Sequence, residues 1–241
     1  MKTLCLALLA CLPLAAVAAS HSKVNGSVRV EAGQTADDVS TVNGSVTIEE
    51  RATAADVETV NGSITIERDA TVRSVESVNG GISLATGAKA EKLQTVNGTL
   101  RLAEGVQVAG DVSAVNGAAL LAKGADIRGG LSNVNGKMTI DAAHVGGGLH
   151  TVNGDITVGR DSRIEGGILV EKPNQNWFNR NRREPRIIIG PDAVVEGRSR
   201  FEHEVQLLVS DRAKIGPVEG AKAITFSGDD PSRAELDVER N

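Results

Sequence analysis

Apolar and polar residues alternate along this chain in short runs that recur at a fixed interval. One unit contains three apolar pairs, at Ile64 and Ile66, at Ala70 and Val72, and at Val75 and Val78. In the first two pairs a single residue separates the members, which is the period of a β-strand with one buried face. Polar or glycine-containing steps lie between the pairs. Each unit is therefore predicted to form three short strands and three corners.

The unit repeats about every 18 residues, and the tripeptide Val-Asn-Gly marks it eight times. Its asparagines are Asn25, Asn43, Asn61, Asn79, Asn97, Asn116, Asn135 and Asn153. One unit buries too little apolar surface to offset the entropy of ordering it, so units must stack. The sequence predicts an all-β fold, a single-stranded parallel β-helix (β-solenoid) of about ten turns.

The recurring Asn-Gly step has a structural interpretation. Glycine accepts left-handed backbone angles that a corner requires, and asparagine tolerates them better than most residues. Stacked asparagine amides can also hydrogen-bond from turn to turn. The alternative is a row of asparagines that binds a ligand.

The repeat is interrupted once in the second half of the chain. Residues 171–186 have no strand period and contain two prolines, after which the apolar frame returns at Ile187 and Ile189. The sequence predicts repeats over 20–170, a protruding loop over 171–186, a continuation of the solenoid over 187–226 and a polar tail over 227–241.

The first 19 residues have the pattern of a secretory signal peptide. Lys2 precedes an apolar run that ends in small residues, with cleavage expected after Ala18 or Ala19. This predicts a periplasmic or secreted protein without a transmembrane segment. Both cysteines, Cys5 and Cys11, lie inside this segment, so the mature chain is predicted to have no disulfide. A faint lipoprotein box that ends at Cys11 is the alternative.

Charge and residue types narrow the function classes. The formal net charge is −5, which argues against nucleic acid as a partner. The acidic residues are scattered over the predicted corners, and the four histidines have no metal-ligand spacing. We therefore expect no catalytic residues, no metal site and no cofactor.

The predicted loop is the best candidate for a binding surface. It combines adjacent aromatic residues with arginines, a mixture that suits sugars, anionic polymers or a protein partner. The candidate binding residues are Trp177, Phe178, Arg180, Arg182, Arg183 and Arg186. In the alternative interpretation, the two aromatic side chains only anchor the loop on the solenoid.

Two segments resemble known families. The nine residues Ile189–Gly197 are similar to the repeat of bactofilins, the polymer-forming bacterial β-solenoids, and also to that of left-handed hexapeptide acyltransferases. The Thr/Ser-Val-Asn-Gly-Ser-Val/Ile pattern resembles adhesin-like repeat domains of exported bacterial proteins. The bactofilin and adhesin resemblances imply a right-handed coil, as the crossover rule also suggests. Bactofilins are cytoplasmic and have no signal peptide, which does not match residues 1–19.

These observations favour an exported, non-enzymatic structural or interaction protein of the bacterial cell envelope. Its expected partners are an envelope polysaccharide, another envelope protein, or a second copy that stacks end to end on the N-terminal turn. A polysaccharide-acting β-helix enzyme is one alternative. An ice- or mineral-binding solenoid is another, based on a hydroxyl row at Thr47, Thr65, Ser83, Thr139 and Thr157 that Arg29, Arg101 and Leu120 interrupt.

Overall fold

The computed structural model describes residues 19–173, 184–229 and 231. These residues form a parallel β-solenoid of 11 turns, and they contain no helix. Each turn has three faces, which we number in the order in which the chain visits them after each Asn-Gly step. The predicted fold class and repeat length are confirmed.

Face 1 is a sheet of 11 parallel strands, one from each turn. Its strands are Val28–Val30, Val46–Ile48, Ile64–Ile66, Ile82–Leu84, Leu100–Leu102, Ala119–Leu121, Met138–Ile140, Ile156–Val158, Arg186–Ile189, Gln206–Ser210 and Ala223–Phe226.

Faces 2 and 3 are joined at the N-terminal end and separate further along. Strands that run across both faces are Ala19–Asn25, Thr35–Asn43, Thr53–Asn61 and Thr71–Asn79. The later strands of face 2 are Lys89–Ala90, Gln107–Val108, Asp126–Ile127, His144–Val145, Arg163–Ile164, Val194–Val195 and Lys214–Ile215. The later strands of face 3 are Lys92–Asn97, Val112–Asn116, Leu131–Asn135, Leu149–Thr151, Ile168–Val170, Ser199–Phe201 and Val218–Glu219.

One continuous apolar core fills the bore of the coil. Ile48, Ile66 and Leu84 stack in register on face 1 and are almost completely buried. Thr65 lies between two buried isoleucines and points outward, half-buried. The side chains of the core come from all three faces and join in a single cluster. Since each strand pairs with its copies in the neighbouring turns, backbone hydrogen bonds and core packing extend together along the axis.

The corner between face 1 and face 2 has a left-handed backbone that the sequence analysis did not predict. One residue there has a φ of 44–73° in nine turns: Gly33, Arg51, Asp69, Gly87, Gly105, Gly124, Ala142, Asp161 and Asp192. Five of the nine residues are not glycine but arginine, alanine or aspartate, so each places a side chain in a conformation that costs energy.

Two boundaries differ from the expected ones. The first strand begins at Ala19, one residue before the predicted start of the repeats at residue 20. After Val170 the chain returns at Arg186, which pairs with Gln206 in face 1 and belongs to a strand, not to the loop. The insertion therefore lies at the corner between face 3 and face 1. Within the described residues, no helix is long and apolar enough to span a membrane.

Candidate functional site

The motif Thr/Ser-Val-Asn-Gly lies at the corner where face 3 ends, and each of its residues has a different role. The first residue points into the coil. Thr59 is 3 % exposed, and its Oγ1 donates a hydrogen bond to the carbonyl oxygen of Gly44, 3.1 Å away in the preceding turn. Thr41 and Thr95 make the same bond over 3.0 and 3.1 Å. These buried hydroxyls, which the sequence analysis missed, join successive turns from inside.

The asparagines form an exposed ladder, as the structural interpretation predicted. In seven successive steps the Nδ2 of each asparagine donates to the Oδ1 of the asparagine one turn earlier, over 2.9–3.1 Å. The bonds all run in one direction along the axis. Because each interior amide both donates and accepts, neighbouring bonds polarise and strengthen one another.

The glycines of the motif are required for close stacking of backbone. A Cβ atom on Gly62 would lie 1.9 Å from the carbonyl oxygen of Gly44, and one on Gly80 would lie 1.9 Å from that of Gly62. The expectation that Asn-Gly supplies a left-handed corner is wrong for the asparagines, because none of them has a positive φ. Three glycines of the motif do have a positive φ: Gly26, Gly117 and Gly136, at 106°, 151° and 154°. The non-glycine residues with a positive φ all lie at the other corner, between faces 1 and 2.

The valines of the motif point outward, which corrects the prediction that Val78 belongs to an inward pair. Val78 is 42 % exposed, whereas Val75 and Ser77 are the inward residues of that strand. Strict alternation after an inward hydroxyl places the next residue outside. The result is a valine row of Val24, Val42, Val60, Val78, Val96, Val115, Val134 and Val152, all exposed or half-buried.

A shallow groove of about 420 Å³ follows the valine row over the first five turns. The valines form one wall, and the outward residues two positions earlier form the other: Ser22, Ser40, Glu58, Glu76 and Gln94. Parallel strands repeat every ~4.8 Å, so the eight valines extend over roughly 34 Å. The asparagine ladder borders the valine row on its far side. The surface is therefore an apolar stripe between two polar rows.

The polar wall of the groove carries negative charge. Glu76 is paired with Lys92 over 3.5 Å, and both side chains are largely exposed. At the neighbouring corner the side chain of Arg73 hydrogen-bonds to Asp56, and this contact raises the pKa of the Arg73 guanidinium above its ordinary value. Arg73 and Asp56 are not part of the groove lining, whose charged residues are Glu58, Glu76 and Lys23.

Most of the candidate binding residues predicted in the loop lie outside the described residues: Trp177, Phe178, Arg180, Arg182 and Arg183. The sixth, Arg186, is half-buried at the start of a face 1 strand, where its backbone N–H donates to Asp155 Oδ1 over 2.9 Å. The loop site stays a prediction.

The histidines lie apart on different faces. His144, on face 2, contacts Asp126 Oδ1 over 2.5 Å and Glu165 Oε1 over 3.3 Å. His150, on face 3, lies 3.2 Å from Glu171 Oε2. Among the described residues, no cluster of three or more potential metal ligands is placed to hold an ion. The outward row of face 1 contains the hydroxyls of Thr47, Thr65 and Ser83 in register, followed by Arg101, as expected.

Comparison with protein-family models, with curated proteins and with solved structures gave no match. The chain is therefore not assigned to a family, and the bactofilin-like and adhesin-like resemblances stay expectations from short motifs.

The valine row and the asparagine ladder form a linear surface on which the same groups recur. Each of the eight Val-Asn-Gly steps adds a valine and an amide at the same spacing, on a backbone held by the ladder outside and by hydroxyls inside. A rigid surface of this kind matches an extended partner with its own repeat, because one contact can be made many times without new ordering of the protein.

Proposed function

We propose that this chain is an exported, non-enzymatic structural or interaction protein of the bacterial cell envelope, and that its partner is a linear envelope polysaccharide bound along the valine row. The observation that supports this proposal best is the continuous apolar stripe bordered by the asparagine ladder. Exposed apolar patches that extend over several hundred square ångströms are characteristic of interaction sites in soluble proteins.

The chemistry of the stripe suits a sugar polymer. A sugar ring has an apolar face of C–H groups and an equatorial belt of hydroxyls. The valines supply small apolar contacts, and the exposed amide of Asn61 has a second N–H besides the one that the ladder uses. Ser40 and Glu58, on the other wall, provide further hydrogen-bond partners. Each sugar unit would thus meet apolar and polar groups in the same order.

The binding experiment uses substitutions on the stripe that leave the core unchanged. The variant Val60→Ser with Val78→Ser removes apolar surface from the middle of the row, and the purified chain is tested for co-sedimentation with envelope polysaccharide fractions. Loss of apolar contact at two adjacent positions should weaken binding about tenfold, equivalent to ~1.4 kcal/mol. Melting should change little because both side chains are largely exposed.

A matched control carries Thr47→Ser with Thr65→Ser, on the outward row of face 1. If binding falls equally in both variants, or in neither, the valine row is not the binding surface. A third variant, in which a Gly-Ser linker replaces residues 174–183, tests the loop. If only the linker variant loses binding, the binding site lies in the loop, at Trp177 and the loop arginines.

The same fractions test the non-enzymatic part of the proposal. The reducing ends and unsaturated products that glycosidases and lyases release should not increase on incubation with the protein. Turnover above that of a buffer blank would favour the polysaccharide-acting enzyme. Export is tested by cell fractionation and by N-terminal sequencing of the recovered chain, which should begin at Ala19 or Ser20.

A further inference from the structure

The first turn of the coil ends in an open strand edge. The strand Ala19–Asn25 pairs on one side with Thr35–Asn43, and Val28–Val30 pairs on one side with Val46–Ile48. In the described ranges no strand pairs with the opposite side of either. Such an edge offers backbone N–H and C=O groups to any strand that approaches, and is a template for association.

Two large polar residues occupy core positions of this first strand. The pairing places His21 opposite Val39 and Lys23 opposite Thr41. Val39 is completely buried, and Thr41 is 3 % exposed. In the following turns, apolar side chains continue the column of Val39. The small hydroxyl residues Thr59, Ser77 and Thr95 continue the column of Thr41. His21 and Lys23 therefore replace the residues that would extend the core.

At the open end these two side chains are compatible with the fold because they reach water. All seven residues of the first strand are exposed, and the Nζ of Lys23 donates to the carbonyl oxygen of Ser27 over 2.9 Å. A copy stacked on this edge would enclose the ammonium group between two apolar interiors. Removal of a charge from water without a partner is strongly unfavourable. Two copies that met head to head would also bring two Lys23 side chains together.

We propose that His21 and Lys23 are gatekeepers that hold a second copy of this chain off the N-terminal edge. After a register shift between Ala19 and His21, the backbone from His21 to Asn25 keeps a constant register with the next strand, so this part of the edge is competent for pairing. The obstacle is the two inward side chains. The end-to-end association expected from the sequence is limited by these residues, and their replacement should release it. Ser22 and Lys23 also line the N-terminal end of the groove, but the readout of this proposal is self-association and does not require polysaccharide binding.

The sequence shows the same departure. The later turns have Thr, Ser, Ala or Asn immediately before Val-Asn-Gly, whereas the first turn has Lys23 there. Inward charges on edge strands are a known way in which β-proteins prevent association. The first copy of the motif thus differs from the others at Lys23, a position at the open end of the coil.

The test replaces both gatekeepers by the residues one turn below, His21→Val with Lys23→Thr, in the full chain as the cell processes it. Sedimentation over a concentration series should show association at least tenfold tighter than that of the unchanged chain. Two controls keep the edge closed: Lys23→Arg preserves the charge, and Ser22→Val changes an outward residue of the same strand. Both controls should sediment like the unchanged chain.

Equal sedimentation of the double variant and the unchanged chain, with strand circular dichroism intact, would overturn the proposal. If the double variant loses its strand signal, the single variant Lys23→Thr decides, because it restores the Thr-Val-Asn-Gly pattern of the next turn. Tighter association of that variant supports gatekeeping, and unchanged association rejects it. Association of the Ser22→Val control to the same degree would also reject it.

Discussion

The side-chain amide of Asn79 donates through Nδ2 to the Oδ1 of Asn61 over 3.0 Å, one turn below. The Oδ1 of Asn79 accepts in turn from Asn97 over 2.9 Å. Asn79 is thus a two-sided link in a chain of amides along the axis, as the structural interpretation of the Asn-Gly step predicted.

Replacement of Asn79 should show what the ladder contributes. Asn79→Ala removes two hydrogen bonds and should lower the free energy of unfolding by about 1–2 kcal/mol, since the amides are exposed and water replaces part of each bond. Asn79→Asp should cost more at neutral pH because its carboxylate faces the Oδ1 of Asn61. Below the ordinary carboxyl pKa of about 3.9 the added proton can donate, so this extra loss should shrink.

Urea denaturation at neutral and acidic pH measures both effects. Ser63→Ala, an exposed change near the ladder, serves as the control and should stay within ~0.5 kcal/mol. Acidification should raise the free energy of unfolding of Asn79→Asp relative to that of Asn79→Ala. If it does not, the side-chain amide of Asn79 does not act as a donor in the ladder.

Two adjacent glycines should respond differently to the same substitution. A Cβ on Gly80 would lie 1.9 Å from the carbonyl oxygen of Gly62, whereas one on Gly81 would come no closer than 3.0 Å to Thr99. Gly80→Ala must push two turns apart and should destabilise the fold by more than about 3 kcal/mol. Gly81→Ala should lose about 1 kcal/mol or less. Equal melting temperatures of the two variants would show that the turns are not tightly stacked at this corner.

The inward and outward faces of one strand should differ in their tolerance of charge. Ile66 is completely buried, and Ile66→Asp would place a carboxylate in the apolar bore, so the protein should unfold or aggregate. Thr65→Asp, one residue away and outward, should melt within a few degrees of the unchanged chain. Thermal melting by circular dichroism compares them, and similar melting curves would mean that the inward assignment is wrong.

The left-handed corner offers a stabilising substitution. Ala142 has a φ of 44°, a conformation that costs a non-glycine residue about 1 kcal/mol, so Ala142→Gly should raise the free energy of unfolding by up to about that amount. Ala122, also half-buried, does not have a positive φ. Ala122→Gly should therefore destabilise by about 0.5–1 kcal/mol. The same sign of change in both variants would argue against strain at Ala142.

The repeat was sufficient to predict the fold, but it predicted the roles of only some residues of the Thr/Ser-Val-Asn-Gly motif. The interval of Val-Asn-Gly and the pairs Ile64 and Ile66 were sufficient to predict parallel stacking, because a unit of this size cannot be stable alone. Val78 lies three residues after Val75, so strand alternation from the buried Val75 places Ser77 inward and Val78 outward, and the predicted inward position of Val78 is wrong. Ser77, a small polar residue, is the inward one because its hydroxyl reaches a backbone carbonyl of the turn below over 3.4 Å.

The candidate groove could not be found from the sequence for the same reason. The identity of a residue as valine does not show whether its side chain is buried or exposed. Eight valines at the same position of the repeat favour a core. The exposed row became visible only when the side of each strand was known. The sequence points to the loop instead, because its aromatic and arginine residues are a recognisable binding composition.

The sequence by itself determined the strand content, the turn length, the stacked asparagines and the place of the insertion, because these follow from local periodicity repeated many times. The tertiary structure decided which side of each strand faces the bore, why the Asn-Gly steps from Gly44 onward require glycine, and that His21 and Lys23 occupy core positions at the open end. Those features depend on contacts between residues about 18 positions apart, and such contacts exist only after one turn has been laid on another.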